Sequence, residues 1–277
     1  MSSSSTQVHH DPSYMKEVWA LFGVGVAVLM ARFAVRIRTV GIRQFAGDDY
    51  MSLVVLACYV ADAVTVTITY HKGSNLDFSE DDVNRLTRSQ IKNVELGSKM
   101  QLLAWYTYVT LIWALKGCML FFFSRLSFGL TREKFVKALV LCCVATYLAM
   151  FFTITFSCYP IRMHWQVTPK PPLRCTLRIQ NFYVCTILNV ITDAALLAVP
   201  IPMLWKLRVP LRKKITLACL LSSGIFIITA AIVRIVMSLQ GNPNALTINR
   251  WGVRETIAGI IAVNAPMLAP LATRSFY

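Results

Sequence analysis

The stretch 138-ALVLCCVATYLAMFFTITFSCYPI-161 runs through 24 residues without one charged side chain. A helix rises 1.5 Å per residue, so about 20 mostly apolar residues cross a hydrocarbon core of about 30 Å. Residues 215–233 and 256–273 are equally free of charge. Of the 277 residues, 56% are hydrophobic, and the mean hydropathy is +0.56. A soluble domain of this length buries a core without such runs. Seven segments read as membrane helices, at about 17–35, 50–70, 100–123, 138–158, 180–202, 215–238 and 251–273. The fold class expected is an all-α, polytopic seven-helix bundle occupying residues 17–273.

Flanking segments fit that frame. Residues 1–16, MSSSSTQVHHDPSYMK, lack the basic-then-apolar pattern of a cleaved signal and read as a disordered polar leader. His9 and His10 form a metal-capable pair without a third ligand nearby, so no metal is expected. Residues 274–277 make a short tail.

The net charge of +15 is distributed by side rather than gathered for nucleic acid. Fourteen Lys and Arg fall on short loops of one side: Arg32, Arg36, Arg38 and Arg43; Arg125, Arg132, Lys134 and Lys137; Lys206, Arg208, Arg212, Lys213 and Lys214; and Arg274. Only Asp48, Asp49 and Glu133 oppose them. The other side holds 12, diluted over longer connections with five acids. Short-loop positive charge marks the cytoplasmic face, which puts the N-terminus outside and the C-terminus inside. That face also attracts anionic lipid of the bilayer.

The long external connection 71–99 contains Ser79-Glu80-Asp81-Asp82, a start signal for a short surface helix. Cys158 and Cys175 bracket a second external loop. They close a disulfide or remain free thiols, and the oxidising side favours the bridge. The other six cysteines lie within spans as small packing residues.

One charge breaks the apolar pattern. In 111-LIWALKGCMLFFFSRL-126, Lys116 has no charged residue between itself and Lys99 or Arg125. Helix 3 runs inward, so Lys116 lies roughly 10 Å from the inner boundary. Asp193 on helix 5 lies roughly 13 Å deep by the same count, with Asn189 one turn away on the same face. Asn264 on helix 7 falls at a similar level. A lone charge at such depth costs several kcal/mol, so a polar cluster of Lys116, Asn189, Asp193 and Asn264 is expected, with Asp62 near mid-bilayer. Arg234 and Glu255 match in height near the outer ends of helices 6 and 7 and form an expected ion pair. Asp48 and Asp49 precede helix 2, where Asp48 caps and both acids complement the dipole. Pro266 and Pro270 interrupt helix 7 beside Asn264.

Taken together, these positions resemble the fungal rhodopsin-domain family of seven-helix integral membrane proteins. That family includes satratoxin-cluster membrane proteins and the core of pathogenicity-related receptor-like proteins. The resemblance spans roughly residues 17–272. It rests on Gly47-Asp48-Asp49-Tyr50, Lys116, Phe122 and Arg125, then Cys158, Pro160, Trp165 and Cys175. It continues through Asn189, Asp193, Pro200, Pro202, Arg234, Glu255, Asn264, Pro266 and Pro270. It implies a fungal protein encoded among secondary-metabolite genes, receptor-like or accessory in role. Retinal is not implied: opsins hold it on a helix-7 lysine, and 251–273 contains none. No cofactor is expected.

Two functions fit the residues. One is a receptor-like or accessory protein of the plasma membrane or an endomembrane, binding a small hydrophobic ligand or pathway intermediate between helices, its cytosolic partner unnamed. The other is an integral-membrane cyclase of isoprenoids or polyketides, with Asp62, Asp193 or Glu255 as buried acid. An ammonium beside Asp193 counts against that residue as the proton donor.

Overall fold

The computed structural model describes residues 12–126, 130–198, 228–229, 232–233, 236 and 245–268. Among them there is no strand. Helix α1 spans Pro12–Thr39, α2 Gly47–Lys72, α3 Glu80–Arg85 and α4 Arg88–Leu126. Helix α5 spans Leu130–Phe156, α6 Leu173–Thr176, α7 Ile179–Ala198 and α8 Ala245–Leu268. Proline opens α1, where its missing N–H costs nothing. Gly41 at φ 79° and Gly73 at φ 72° end α1 and α2 in a backbone region that side-chain-bearing residues avoid.

Five of these helices, α1, α2, α4, α5 and α7, are long and apolar enough to cross a membrane. Helix α8 occupies the seventh expected span but falls short in hydropathy because Asn249, Arg250, Arg254, Glu255 and Asn264 interrupt it. The sixth expected span, 215–238, lies outside the described residues apart from five isolated helical positions. Arg234, Pro200, Pro202, Pro270 and the 206–214 basic loop lie outside them too.

Two boundaries differ from the sequence expectation. The polar leader is shorter, because α1 starts at Pro12 and buries Tyr14 against Tyr70, with ring centroids 5.5 Å apart. Helix α4 begins at Arg88, inside the connection read as polar loop. At 39 residues it is about 58 Å long and extends well past a bilayer core. Ile91 and Val94 on its extension pack with Phe78, Val83 and Val167 in a small separate core, which explains why a polar segment holds a helix.

Helix α4 is the axis of the bundle. Trp105, Tyr108, Val109, Leu111, Ile112, Leu115, Met119 and Phe123 are buried around most of its circumference. A helix buried all round belongs at a centre, and one buried on a single stripe belongs at the rim. Helix α5 is such a rim helix, with Leu141, Val144, Leu148, Phe152 and Phe156 exposed. Gly97 of α4 packs against the C-cap of α2, where an added Cβ would lie 1.8 Å from the Gly73 carbonyl oxygen.

One end of the bundle is tied shut. Ser79 caps α3, and the Asp82 carboxylate returns a bond to the Ser79 N–H at 3.1 Å. Those bonds hold the Asp82 carboxyl below its usual range. Cys158 and Cys175 form the disulfide, Cα to Cα 5.2 Å. The His164 carbonyl accepts from Asn75 Nδ2 at 3.2 Å and from Arg178 Nη2 at 2.9 Å. Asn75 N–H in turn donates to Ser98 Oγ on α4. Asp77 Oδ1 accepts the Ala245 N–H at the start of α8. Both long connections are thereby fastened to α4 and α8.

Gly97→Ala is expected to lower stability by about 1–3 kcal/mol through overpacking, read as a drop in the thermal midpoint in detergent micelles. Gly252→Ala, with nothing within 4 Å of the new Cβ, is expected to be neutral or stabilising.

His164 makes a second prediction. Burial, and next the Arg178 guanidinium, hold its imidazole below the ordinary histidine value of about 6.5. The unfolded chain therefore binds the proton first as pH falls, so stability is lost on acidification below that value. The thermal midpoint is expected to fall from pH 7 to pH 5, and the slope to shrink in His164→Gln.

Candidate functional site

Lys116 points into the protein from α4 with its side chain 3% exposed. Its ammonium donates to Asp193 Oδ1 and, at 3.2 Å, to the Asn189 carbonyl oxygen. Both partners sit on α7, one turn apart, so a single face of that helix supplies a carboxylate and a carbonyl. Trp113 lies one turn back on α4, its ring centroid 5.7 Å from Lys116 Nζ. In hydrocarbon an unpaired ammonium costs several kcal/mol, and the pair fixes α4 against α7.

Asn189 extends the group to α8. Its Nδ2 donates to Glu255 Oε1 at 3.5 Å, and Tyr108 OH donates to Glu255 Oε2 at 2.7 Å. Tyr108 gives no sequence signal, because aromatic residues on a buried helix are ordinarily packing. Asp193 Oδ2 and Asn189 Oδ1 are buried without a hydrogen-bond partner. Two acceptors with open capacity thus face the interior beside Lys116.

Asn264 stands apart from this group. Its Oδ1 accepts from Arg32 Nη1 at 2.9 Å, and its Nδ2 donates to the Ile260 carbonyl at 2.7 Å. Arg32 is not a loop residue. It lies inside α1, 1% exposed, and pairs with Asp48 Oδ2 at 3.1 Å while donating to the Asp48 carbonyl at 3.2 Å. This takes Asp48 away from the capping role read from sequence. The N-cap position is Ala46, and Asp49 Oδ2 accepts its N–H at 3.0 Å. Asp49 also takes a two-pronged bond from Arg36 at 2.9 and 2.7 Å. The signal for Arg32 was present in 31-ARFAVR-36, a charge inside an apolar run, as for Lys116.

Toward the disulfide end, Asp62 on α2 accepts from Thr107 Oγ1 at 3.4 Å. Nearby, Gln101 and Asn249 exchange a reciprocal amide pair, both bonds 2.9 Å. Asp62, Gln101, Tyr108 and Asn249 border a cavity of about 20 Å³, room for one water molecule. The expected Arg234–Glu255 pair involves a residue outside the described set. Among the described residues, no three His, Cys, Asp or Glu side chains converge as a metal site.

The large cavity is elsewhere. A groove of about 460 Å³ opens between α2, α4 and α5, lined by Met51, Trp113, Gly117, Phe121, Val140 and Tyr147 among others. That volume suits a small ligand. Trp113 belongs both to the groove and to the surroundings of Lys116, and its Nε1 donates to Thr146 on α5 at 3.1 Å. One indole therefore touches the groove, the buried ion pair and the rim helix.

A fungal rhodopsin domain matches residues 31–274. The chain belongs to that family. All the paired residues from Arg32 to Asn264 lie inside the domain. This fungal rhodopsin domain is also 29% identical over 134 residues to a SAT4 family membrane protein of Emericella nidulans (strain FGSC A4). That alignment takes in 48% of this chain and 34% of the relative's length. No solved structure matches. Family and apolar helices together make this a multi-pass membrane protein.

Removing one member of the Lys116–Asp193 pair strands the other charge. Lys116→Met and Asp193→Asn are each expected to cost about 3–5 kcal/mol. The double variant Lys116→Met/Asp193→Leu is expected to recover most of that loss, read as thermal midpoints in one detergent. Additive losses would show that the two charges act separately.

Proposed function

We propose that the protein is a receptor-like or accessory component of fungal secondary metabolism that binds a small hydrophobic molecule between its helices. The reading takes a seven-helix domain over residues 17–273, N-terminus outside and C-terminus cytoplasmic, in the plasma membrane or an endomembrane. The short-loop excess of Lys and Arg supports that orientation. Retinal has no part in it, since α8 offers no lysine for a Schiff base.

The observation that carries the reading is the shared position of Trp113. A ligand in the α2–α4–α5 groove would press on an indole that also faces the Lys116 ammonium and bonds α5. Occupancy can then bias the packing of α4 against α7, and through Asn189 and Glu255 reach α8. A ligand shifts a conformational equilibrium only through such differential contact.

The cyclase reading needs a buried proton donor. Asp193 accepts from an ammonium, Glu255 accepts on both oxygens and Asp62 accepts from Thr107, so all three candidate acids are engaged as acceptors.

The test is deletion of the gene and complementation with Trp113→Ala, Asp193→Asn or Glu255→Gln. Changed transcription or ligand response with unchanged pathway chemistry is the expected result. Accumulation of an uncyclised precursor that the carboxylate variants fail to clear would overturn it in favour of the enzyme.

A further inference from the structure

We propose a binding site for a small monovalent anion, chloride or another halide, between the Arg178 guanidinium and the Asn181 amide at the start of α7. This site is separate from the groove and independent of what the groove holds.

Three cationic side chains are buried among the described residues: Arg32, Lys116 and Arg178. Arg32 pairs with Asp48 and Lys116 with Asp193. Arg178, 1% exposed, pairs with no carboxylate among the described residues. Its Nη2 donates to the His164 carbonyl at 2.9 Å, and its Nε is buried without an acceptor. The group acting on it from α4 is the Tyr106 phenol. Burial pushes the guanidinium down to about 10, so it stays charged at neutral pH. A buried cation held only by neutral groups is costly, and the two other cases show how this chain meets that cost.

Asn181 is a second and separate observation. It is 0% exposed, and both its Nδ2 and its Oδ1 are buried without a hydrogen-bond partner. It stands three residues after Arg178, on the same side of the first turn of α7, and its N–H donates to the Arg178 carbonyl at 2.9 Å. A direct bond between the two side chains would relieve both, yet neither makes it. Arg178 is held in this place although its φ is 53°, a region an arginine enters only at a cost. Two unmatched donors, Arg178 Nε and Asn181 Nδ2, therefore stand together at the positive end of the 20-residue helix α7.

These groups select the ligand. The guanidinium and the helix dipole exclude a cation and favour an anion. One guanidinium balances one negative charge, so a halide is matched and a sulfate or phosphate is not. Both side chains are enclosed, which suits a monatomic ion better than one with a tail. Bound there, the anion joins the start of α7 to the loop closed by Cys158–Cys175, because the His164 carbonyl holds the same guanidinium.

The experiment uses the full-length protein in phosphatidylcholine nanodiscs, with sodium chloride replacing sodium gluconate at constant ionic strength. A saturable rise in thermal midpoint of about 2–4 °C is expected, together with broadening of the chloride NMR line that bromide competes away. Asn181→Leu, which keeps Arg178 and removes the amide, should weaken binding roughly tenfold. Arg178→Gln should abolish binding, and Arg178→Lys should retain part of it. Arg174→Gln, at an exposed position of α6, should leave it unchanged.

Equal midpoints in chloride and gluconate, with no line broadening, overturn the proposal in favour of water at these groups. A chloride response unchanged in both Asn181→Leu and Arg178→Gln overturns it by placing the ion elsewhere. If Arg178→Gln does not fold, Asn181→Leu decides alone. Acetate or sulfate competing more strongly than bromide overturns the halide in favour of a larger anion on the same residues.

Discussion

The Lys116 ammonium, its side chain 3% exposed, is shut off from bulk solvent beside the Trp113 ring. Asp193 and the Asn189 carbonyl are the only acceptors described for it, and both belong to one turn of α7. The helices of a membrane bundle gain little from leaving lipid for one another, because lipid tails are as apolar as leucine. Sliding α7 by one residue would cost little in apolar contact. It would cost a great deal in stranded charge. The pair therefore does what a hydrophobic core does in water: it selects one register out of many.

The same rule repeats at other levels, in other combinations of helices. Arg36 and Asp49 join α1 to α2. Arg32, Asp48 and Asn264 join α1, α2 and α8. Lys116, Asp193, Asn189, Glu255 and Tyr108 join α4, α7 and α8. Asp62 and Thr107 join α2 to α4. The α1–α2 pair is joined at two of these levels, and a small number of buried polar contacts, rather than the abundant apolar surface, specifies how these helices meet.

Depth counting along the sequence found the Lys116–Asp193 level because both residues stand alone in long apolar runs. It also placed Asn189, which follows from helical periodicity. It also grouped Asn264 with them, whereas Asn264 bonds Arg32 and the Ile260 carbonyl. Arg32 itself went unread. Near a span's boundary a charge is indistinguishable from a loop charge unless its partner is known, and Asp48 had been assigned to a cap. The disulfide and the Ser79 cap were legible because both are local devices with fixed spacing. The 88–99 part of α4 was not, since it is held by Phe78, Val83 and Val167, whose contacts no local pattern encodes.

The two ends of the bundle differ in how freely they can move. At the disulfide end, Cys158–Cys175, the Asn75 and Arg178 bonds to His164, and the Asp77 bond to α8 tie every described connection to a helix. The 460 Å³ groove lies instead along the span of α5, the least buried of the five spanning helices at 22%, against 67% for α4. Helix α5 meets the centre through Trp113–Thr146 and Tyr106–Thr155 bonds between neutral groups, and no ion pair links the two helices among the described residues. A bundle clamped at one end and lightly joined at one helix yields at that helix. Displacing α5 by the width of a ligand would break neutral hydrogen bonds worth about 1 kcal/mol each, whereas displacing α7 would break the buried charge pair. Motion, if a ligand drives any, begins at α5 and reaches the charged interior through the indole of Trp113.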